Sequence, residues 1–300
     1  MAKIFDALNR KSGDAADPVL AALVREFRAE PAPVAQPTAP PVAVPHAPAG
    51  PAFTLPQPGG AAIRTLRLSI PLQSPLLPFD GENGHAAEQY RIARTRIIQH
   101  PRQPRMIVVS SAGSGDGKTL SSINLSGALA LKTEGNVLLV DADFRRCAVY
   151  QRLGLPASPG LSDVLAGTST LEEALVRAEQ FPNLYIIPAG APSKSPTELL
   201  DSSRWRALAK VLRAAFQFVI VDSTPIAAVA DYDLIEAVCD GVLLVARPDH
   251  TARKSCLQAL AAIPKDKLVG VLLNCVPNWF LTRPHNYYGA YYYQPDGRQP

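Results

Sequence analysis

The feature that most restricts this chain is the stretch Ser111-Ala112-Gly113-Ser114-Gly115-Asp116-Gly117-Lys118-Thr119, set between an apolar β-branched run and a helical pattern. Its glycines free the backbone to curl until successive N–H groups point into one concavity. The helix that follows adds its own unpaired N–H groups and the positive end of its dipole. Such a loop takes phosphates. Lys118 can reach the β- and γ-phosphates of a nucleotide, and the Thr119 hydroxyl can ligate Mg²⁺. Gly113, Ser114, Gly115, Asp116, Gly117 and Leu120 complete the expected cradle for ATP. The strict pattern has glycine where Ala112 stands, a change that a small residue tolerates.

The surrounding pattern gives the fold class. The short runs Met106–Ser110, Val137–Val140, Leu184–Pro188, Phe218–Val221, Val242–Ala246 and Val269–Leu273 alternate with longer helical stretches. Most are apolar on both faces, as in a parallel sheet covered by helices on each side. This predicts an α/β fold of the P-loop NTPase type, its mostly parallel sheet joined by right-handed crossovers.

Ligands in open α/β sheets sit beyond the carboxyl ends of the strands. Two runs lead into acidic groups there: Asp141-Ala142-Asp143-Phe144-Arg145, and Asp222-Ser223-Thr224-Pro225. An aspartate so placed can hold a metal-bound water or take a proton; its alternative role is to cap the next helix.

Upstream, residues 1–30 carry two short amphipathic patterns, Ile4, Phe5 and Leu8, then Leu20, Leu23, Val24 and Phe27, suited to docking on a partner. Residues 31–60 are one-third proline, a semi-rigid extended spacer. A globular region is expected over 61–280, opening with an arginine-rich helix at 86–99, and a flexible tail over 281–300. The net charge of +4 is too mild to argue for nucleic acid, and subunit contacts explain the arginines between Arg91 and Arg105 more simply. Cys147, Cys239, Cys256 and Cys275 show no metal spacing and read as reduced thiols of a cytosolic protein. No apolar run approaches the ~18 residues of a membrane span, and the first ten residues lack a signal-peptide core.

The segments Ala112–Thr119, Asp141-x-Asp143-x-Arg145 and Asp222-x-x-Pro225 together resemble the nucleotide motifs of the bacterial tyrosine kinases of capsule and exopolysaccharide synthesis, the BY-kinases. The middle motif discriminates, because ordinary P-loop proteins lack it. Glu88-x-x-Arg91-x-x-Arg94-Thr95 is similar to that family's subunit-contact helix, and the segments around Pro188, Ser195 and Asn274 are family-like too. The opening Met1–Leu8 resembles members found with exosortase-type systems. The loop departs from the family in Ser114-Gly115-Asp116, where Pro-Gly-Glu is frequent, and Arg96 stands where asparagine is usual.

The resemblance implies phosphoryl transfer from ATP to tyrosine. Asp143 and Asp222 would complete the Mg²⁺ shell with Thr119, and Asp141 would be the candidate base. Arg145 meets either a phosphate or a structural carboxylate; Asn274 meets adenine or merely ends a strand. The acceptors would be Tyr287, Tyr288, Tyr291, Tyr292 and Tyr293, five of the nine tyrosines. The implied partners are a separate membrane activator of the polysaccharide co-polymerase type, further copies of the chain in a ring, and a cognate phosphatase. They place the chain in the cytoplasm, recruited to the membrane's inner face. Two rivals remain: a non-catalytic nucleotide-gated scaffold, and a positioning ATPase of the deviant P-loop type. The second expects lysine where Gly113 stands.

Overall fold

The computed structural model describes residues 63–70, 84–226 and 228–276. The N-terminal segment, the proline-rich spacer and the tyrosine row lie outside the described residues.

One sheet of eight strands runs through them: β1 (Arg64–Leu66), β2 (Met106–Ser111), β3 (Val137–Asp141), β4 (Val176–Ala178), β5 (Leu184–Ile187), β6 (Phe218–Asp222), β7 (Gly241–Ala246) and β8 (Leu268–Leu273). Their spatial order is β1-β4-β5-β3-β6-β2-β7-β8. Every pairing is parallel except β4 with β5. The expected sheet is therefore present. Two three-residue strands, β1 and β4, extend one edge beyond the six runs visible in sequence.

The helices are α1 (Gly84–Ile98), α2 (Lys118–Ala130), α3 (Val149–Leu153), α4 (Leu161–Ala166), α5 (Leu171–Ala174), α6 (Pro196–Leu200), α7 (Ser203–Ala215), α8 (Asp231–Glu236) and α9 (Arg253–Ala262). Because successive side chains of a strand point to opposite faces, each central strand feeds two cores. Met106, Val108, Leu138, Val140, Val219 and Val221 join one cluster with Trp205, Leu208 and Leu212 of α7 and Tyr232 and Ile235 of α8. Ile107, Val109, Leu139 and Ile220 join the other with Ile123, Leu125 and Leu129 of α2 and Tyr90 and Ile97 of α1.

The α7 residues Trp205, Leu208, Ala209 and Leu212 form an apolar stripe at helical spacing, and the Ser202 hydroxyl caps the helix by accepting from Trp205 N–H at 3.2 Å. Each large side chain in that stripe contributes ~1.5–3 kcal/mol of burial. On the other face α2 is buried along nearly its whole length, since α1 covers the side that the sheet does not.

The order places β2 between β6 and β7. From β2 the chain winds toward β3 and β5, returns to lay β6 beside β2, then crosses to β7 on the far side. The loop after β2 thus sits where the winding reverses, the usual ligand crevice of an open α/β sheet.

Candidate active site at the carboxyl edge of the sheet

The phosphate loop runs from the end of β2 to the first turn of α2. Gly115 and Gly117 have φ of 88° and 94°, the left-handed region that side chains rarely adopt. At Gly117 a side chain would also collide with the amide of Asn274. That amide, just past β8, donates from Nδ2 to the Asp116 carbonyl at 3.0 Å, so Asn274 bears on the loop itself.

Parallel pairing of β3 with β6 sets Asp141 in register with Asp222. Two carboxylates therefore close adjacent strands at the edge where the loop lies. Both are wholly buried, and Asp143 and Lys118 are nearly so. Lys118 Nζ pairs with Asp143 Oδ2 at 2.8 Å. Asp222 Oδ1 accepts from Ser122 Oγ at 3.0 Å, and the Thr119 hydroxyl faces the same carboxylate. Asp141 accepts from two backbone N–H groups, Asp143 at 3.2 Å and Val149 at 3.1 Å, which fixes the turn that carries Asp143.

Burial without matching countercharge raises the proton affinity of this group. Burial pushes Asp222 up to about 6, with Asp143 adding to it and Lys118, Thr119 and Ser122 working against it. Asp141 is held well above the ordinary carboxylate range by burial and then by Asp222 beside it. Cys147 feels the same surroundings, and burial followed by Asp141 and Asp143 raises its thiol to about 11.

The donor set suits magnesium. Asp222 Oδ2 and Thr224 Oγ1 are buried with no hydrogen-bond partner, and the oxygens of Thr119, Asp143 and Asp222 are the hard ligands this ion prefers. Among the described residues no three His, Cys, Asp or Glu side chains gather into a metal cage.

Arg145 is engaged by a carboxylate. Its Nε meets Asp231 Oδ2 at 2.8 Å, and the buried Asp231 also accepts from Thr197 Oγ1 at 2.6 Å. Of the two roles open to Arg145, the structural carboxylate is the one occupied here. In α1, Glu88 and Arg91 pair with each other at 2.8 Å in solvent, and Arg94 donates to the Ala128 carbonyl of α2 at 3.2 Å. Tyr287, Tyr288, Tyr291, Tyr292 and Tyr293 lie outside the described residues.

Several site residues had no signal of their own in the sequence. Asp231 reaches Arg145 from a distant segment, and Thr197 donates in turn to Asp231. His250 and Thr251 reach Asp116 from the loop after β7. Their position just past a strand adjacent to β2 was the available clue.

Residues 104–267 match the family described as AAA domain. The chain is 35% identical over 192 residues to tyrosine-protein kinase YwqD of Bacillus subtilis (strain 168), covering 63% of this chain and 80% of that protein. It is 33% identical over 192 residues to the putative tyrosine-protein kinase EpsB of Ralstonia solanacearum, where the match takes 63% of this chain but only 25% of the longer relative. Among solved structures, the VpsO kinase domain superposes with a TM-score of 0.59 at 31% identity, covering 64% of this chain and 95% of that one.

Proposed function

The chain belongs to the bacterial tyrosine-protein kinase family, and we propose that it is an ATP-dependent autokinase whose acceptors are the tyrosines of its own tail, on neighbouring copies. The observation that carries this reading is the convergence of Lys118, Asp143 and Asp222 on the phosphate loop, with two buried carboxylates in register at its side.

In the resting site Lys118 is held by Asp143. An incoming triphosphate competes for the ammonium, and loop N–H groups with the α2 N-terminus take the remaining charge. Thr119, Asp143 and Asp222 would hold Mg²⁺, which would supply neutralisation of phosphate charge. The phenol oxygen then forms its bond to the γ-phosphorus while the bond to the ADP oxygen breaks. A free phenol has a pKa of about 10, so its proton needs an acceptor. The buried pair Asp141 and Asp222 provides one, and Asp141 is the member with no role in holding metal.

Five tyrosines crowd the segment from Tyr287 to Tyr293. Each phosphate there adds a charge of about −1.5 to −2, enough to drive a modified tail away from an acidic site and loosen contacts between copies. On this reading the chain governs polymerisation and export of an extracellular polysaccharide. A separate membrane protein recruits and activates it, a ring of copies presents the tails, and a phosphatase resets them. Among the described residues no helix is long and apolar enough to cross a membrane, which fits recruitment by such a partner.

Incubating the pure chain with Mg·ATP and the activator's cytoplasmic segment, then mapping phosphotyrosine by mass spectrometry, tests the proposal. Phosphate is expected on the Tyr287–Tyr293 peptide and absent with Lys118→Met. An unmodified tail in the wild type overturns it and leaves the scaffold reading in its place.

A further inference from the structure

A carboxylate in a loop meant for anions is unfavourable unless its charge is consumed elsewhere. Asp116 is such a group, buried to 1% exposure in the middle of the phosphate loop. Its Oδ2 accepts from the Gly113 N–H at 2.9 Å, closing the loop on itself. Its Oδ1 faces Thr251 Oγ1 at 2.7 Å and His250 Nδ1 at 3.0 Å, both from the segment between β7 and α9. The Arg247 N–H donates to that same Thr251 oxygen at 2.8 Å, which directs the hydroxyl proton toward Asp116. A carboxylate oxygen accepts, so the His250 ring presents an Nδ1–H to it.

The rest of the ring covers Gly115. Cε1 and Nε2 lie 3.2 and 3.3 Å from where a Gly115 side chain would begin, in the left-handed stretch of the loop. The residues around this corner come from separate parts of the chain: the loop itself, the 247–251 segment, and Asn274 beyond β8. Nothing in the phosphate chemistry described above uses His250 or Thr251.

We propose that His250 is a positioning residue for the nucleotide: acting through Asp116, with Thr251 as its companion, it latches the phosphate loop in the curvature that aims its N–H groups at the triphosphate. The latch acts on binding, before any bond changes, and belongs to the ground state as much as to the transition state. Its loss therefore raises KM for ATP and spares kcat. The inference rests on the loop being a nucleotide site, so binding is measured directly and apart from kinase turnover.

The experiment titrates the full chain with a non-hydrolysable ATP analogue and Mg²⁺ by calorimetry, for wild type, His250→Ala, His250→Asn and Thr251→Val, alongside KM and kcat for tail phosphorylation. His250→Ala is expected to weaken analogue binding and raise KM five- to tenfold, with kcat within twofold. His250→Asn, which can still donate to Asp116, restores most of the affinity; Thr251→Val weakens it by a smaller factor. His250 is half exposed, and thermal unfolding without nucleotide should be the same for wild type and His250→Ala. Wild-type affinity in His250→Ala overturns the proposal, as does a fall in kcat at constant KM, or failure of asparagine to rescue. Absence of analogue binding by the wild type would instead remove the nucleotide reading itself, an outcome separate from each of these.

Discussion

The phosphate loop lies between two unlike banks. On one side β3 and β6 deliver Asp141, Asp143 and Asp222, buried carboxylates among which one buried lysine pairs with Asp143. On the other, the ends of β7 and β8 deliver His250, Thr251 and Asn274, hydrogen-bond donors that all converge on Asp116. The first bank leaves buried oxygens unpaired on Asp222 and Thr224; the second satisfies both oxygens of its carboxylate. The difference separates two tasks. Electrostatic frustration in the ligand-free state is kept where charge must later be received, and complete hydrogen bonding where a backbone shape must be preserved.

The sharpest way to break that contrast is Asp222→Asn. Tail phosphorylation should fall by about 10²–10³, read as initial rates by quantitative phosphotyrosine mass spectrometry. The ligand-free protein should become more stable at the same time, by about 3 kcal/mol at pH 8 in denaturant titrations. The sign follows from the proton. Asp222 binds one more tightly in the folded state, at about 6, than in the unfolded chain. Its ionisation therefore costs stability as pH rises toward and through 6, and the asparagine advantage should shrink as pH falls from 8 toward 4. A variant that loses both activity and stability at pH 8 would erase the distinction between the banks.

On the opposite bank, Gly117→Ala forces a side chain into a left-handed position against Asn274. A strain of about 1–3 kcal/mol predicts nucleotide affinity reduced five- to hundredfold, measured by analogue titration. Arg145→Ala probes a strut beneath the acidic bank. It leaves the buried Asp231 with Thr197 as its remaining side-chain partner among the described residues, and should destabilise the fold by about 1–2 kcal/mol in the same denaturant assay. Arg91→Ala should have the smallest effect on the isolated chain, under ~0.5 kcal/mol, because its pair with Glu88 is in solvent. A larger change seen only in assembly size by solution scattering would assign that pair to contacts between copies.

The acidic bank was largely legible in the sequence because its information is local. A run such as Phe218–Val221 followed by Asp222 declares both a strand and the place where it ends, and Gly117-Lys118-Thr119 declares the turn into α2. The structure adds that Asp141 and Asp222 are themselves the last residues of their strands, which is why pairing register sets them side by side. On the donor bank Asp116 and Asn274 were named, but His250 and Thr251 were illegible for the opposite reason: Asp116 and His250 are 134 positions apart, and only the sheet order brings them together. β1 and β4 escaped notice on similar grounds, since three residues carry too little periodicity and their pairing is remote in the chain. The helix expected at 86–99 is α1, within two residues at each end.

One edge of the sheet has a mechanical consequence. The chain enters the described region at β1, joined to β4 along three residues, at the opposite end of the order from β8. Tension applied upstream of Ile63 is met first by those few rungs and by the paired amide of Gln180 on Leu68. None of these contacts belongs to the registers of β2, β3 and β6, so the strand that carries the chain into the sheet can be disturbed without touching the pairings that set Asp141 beside Asp222.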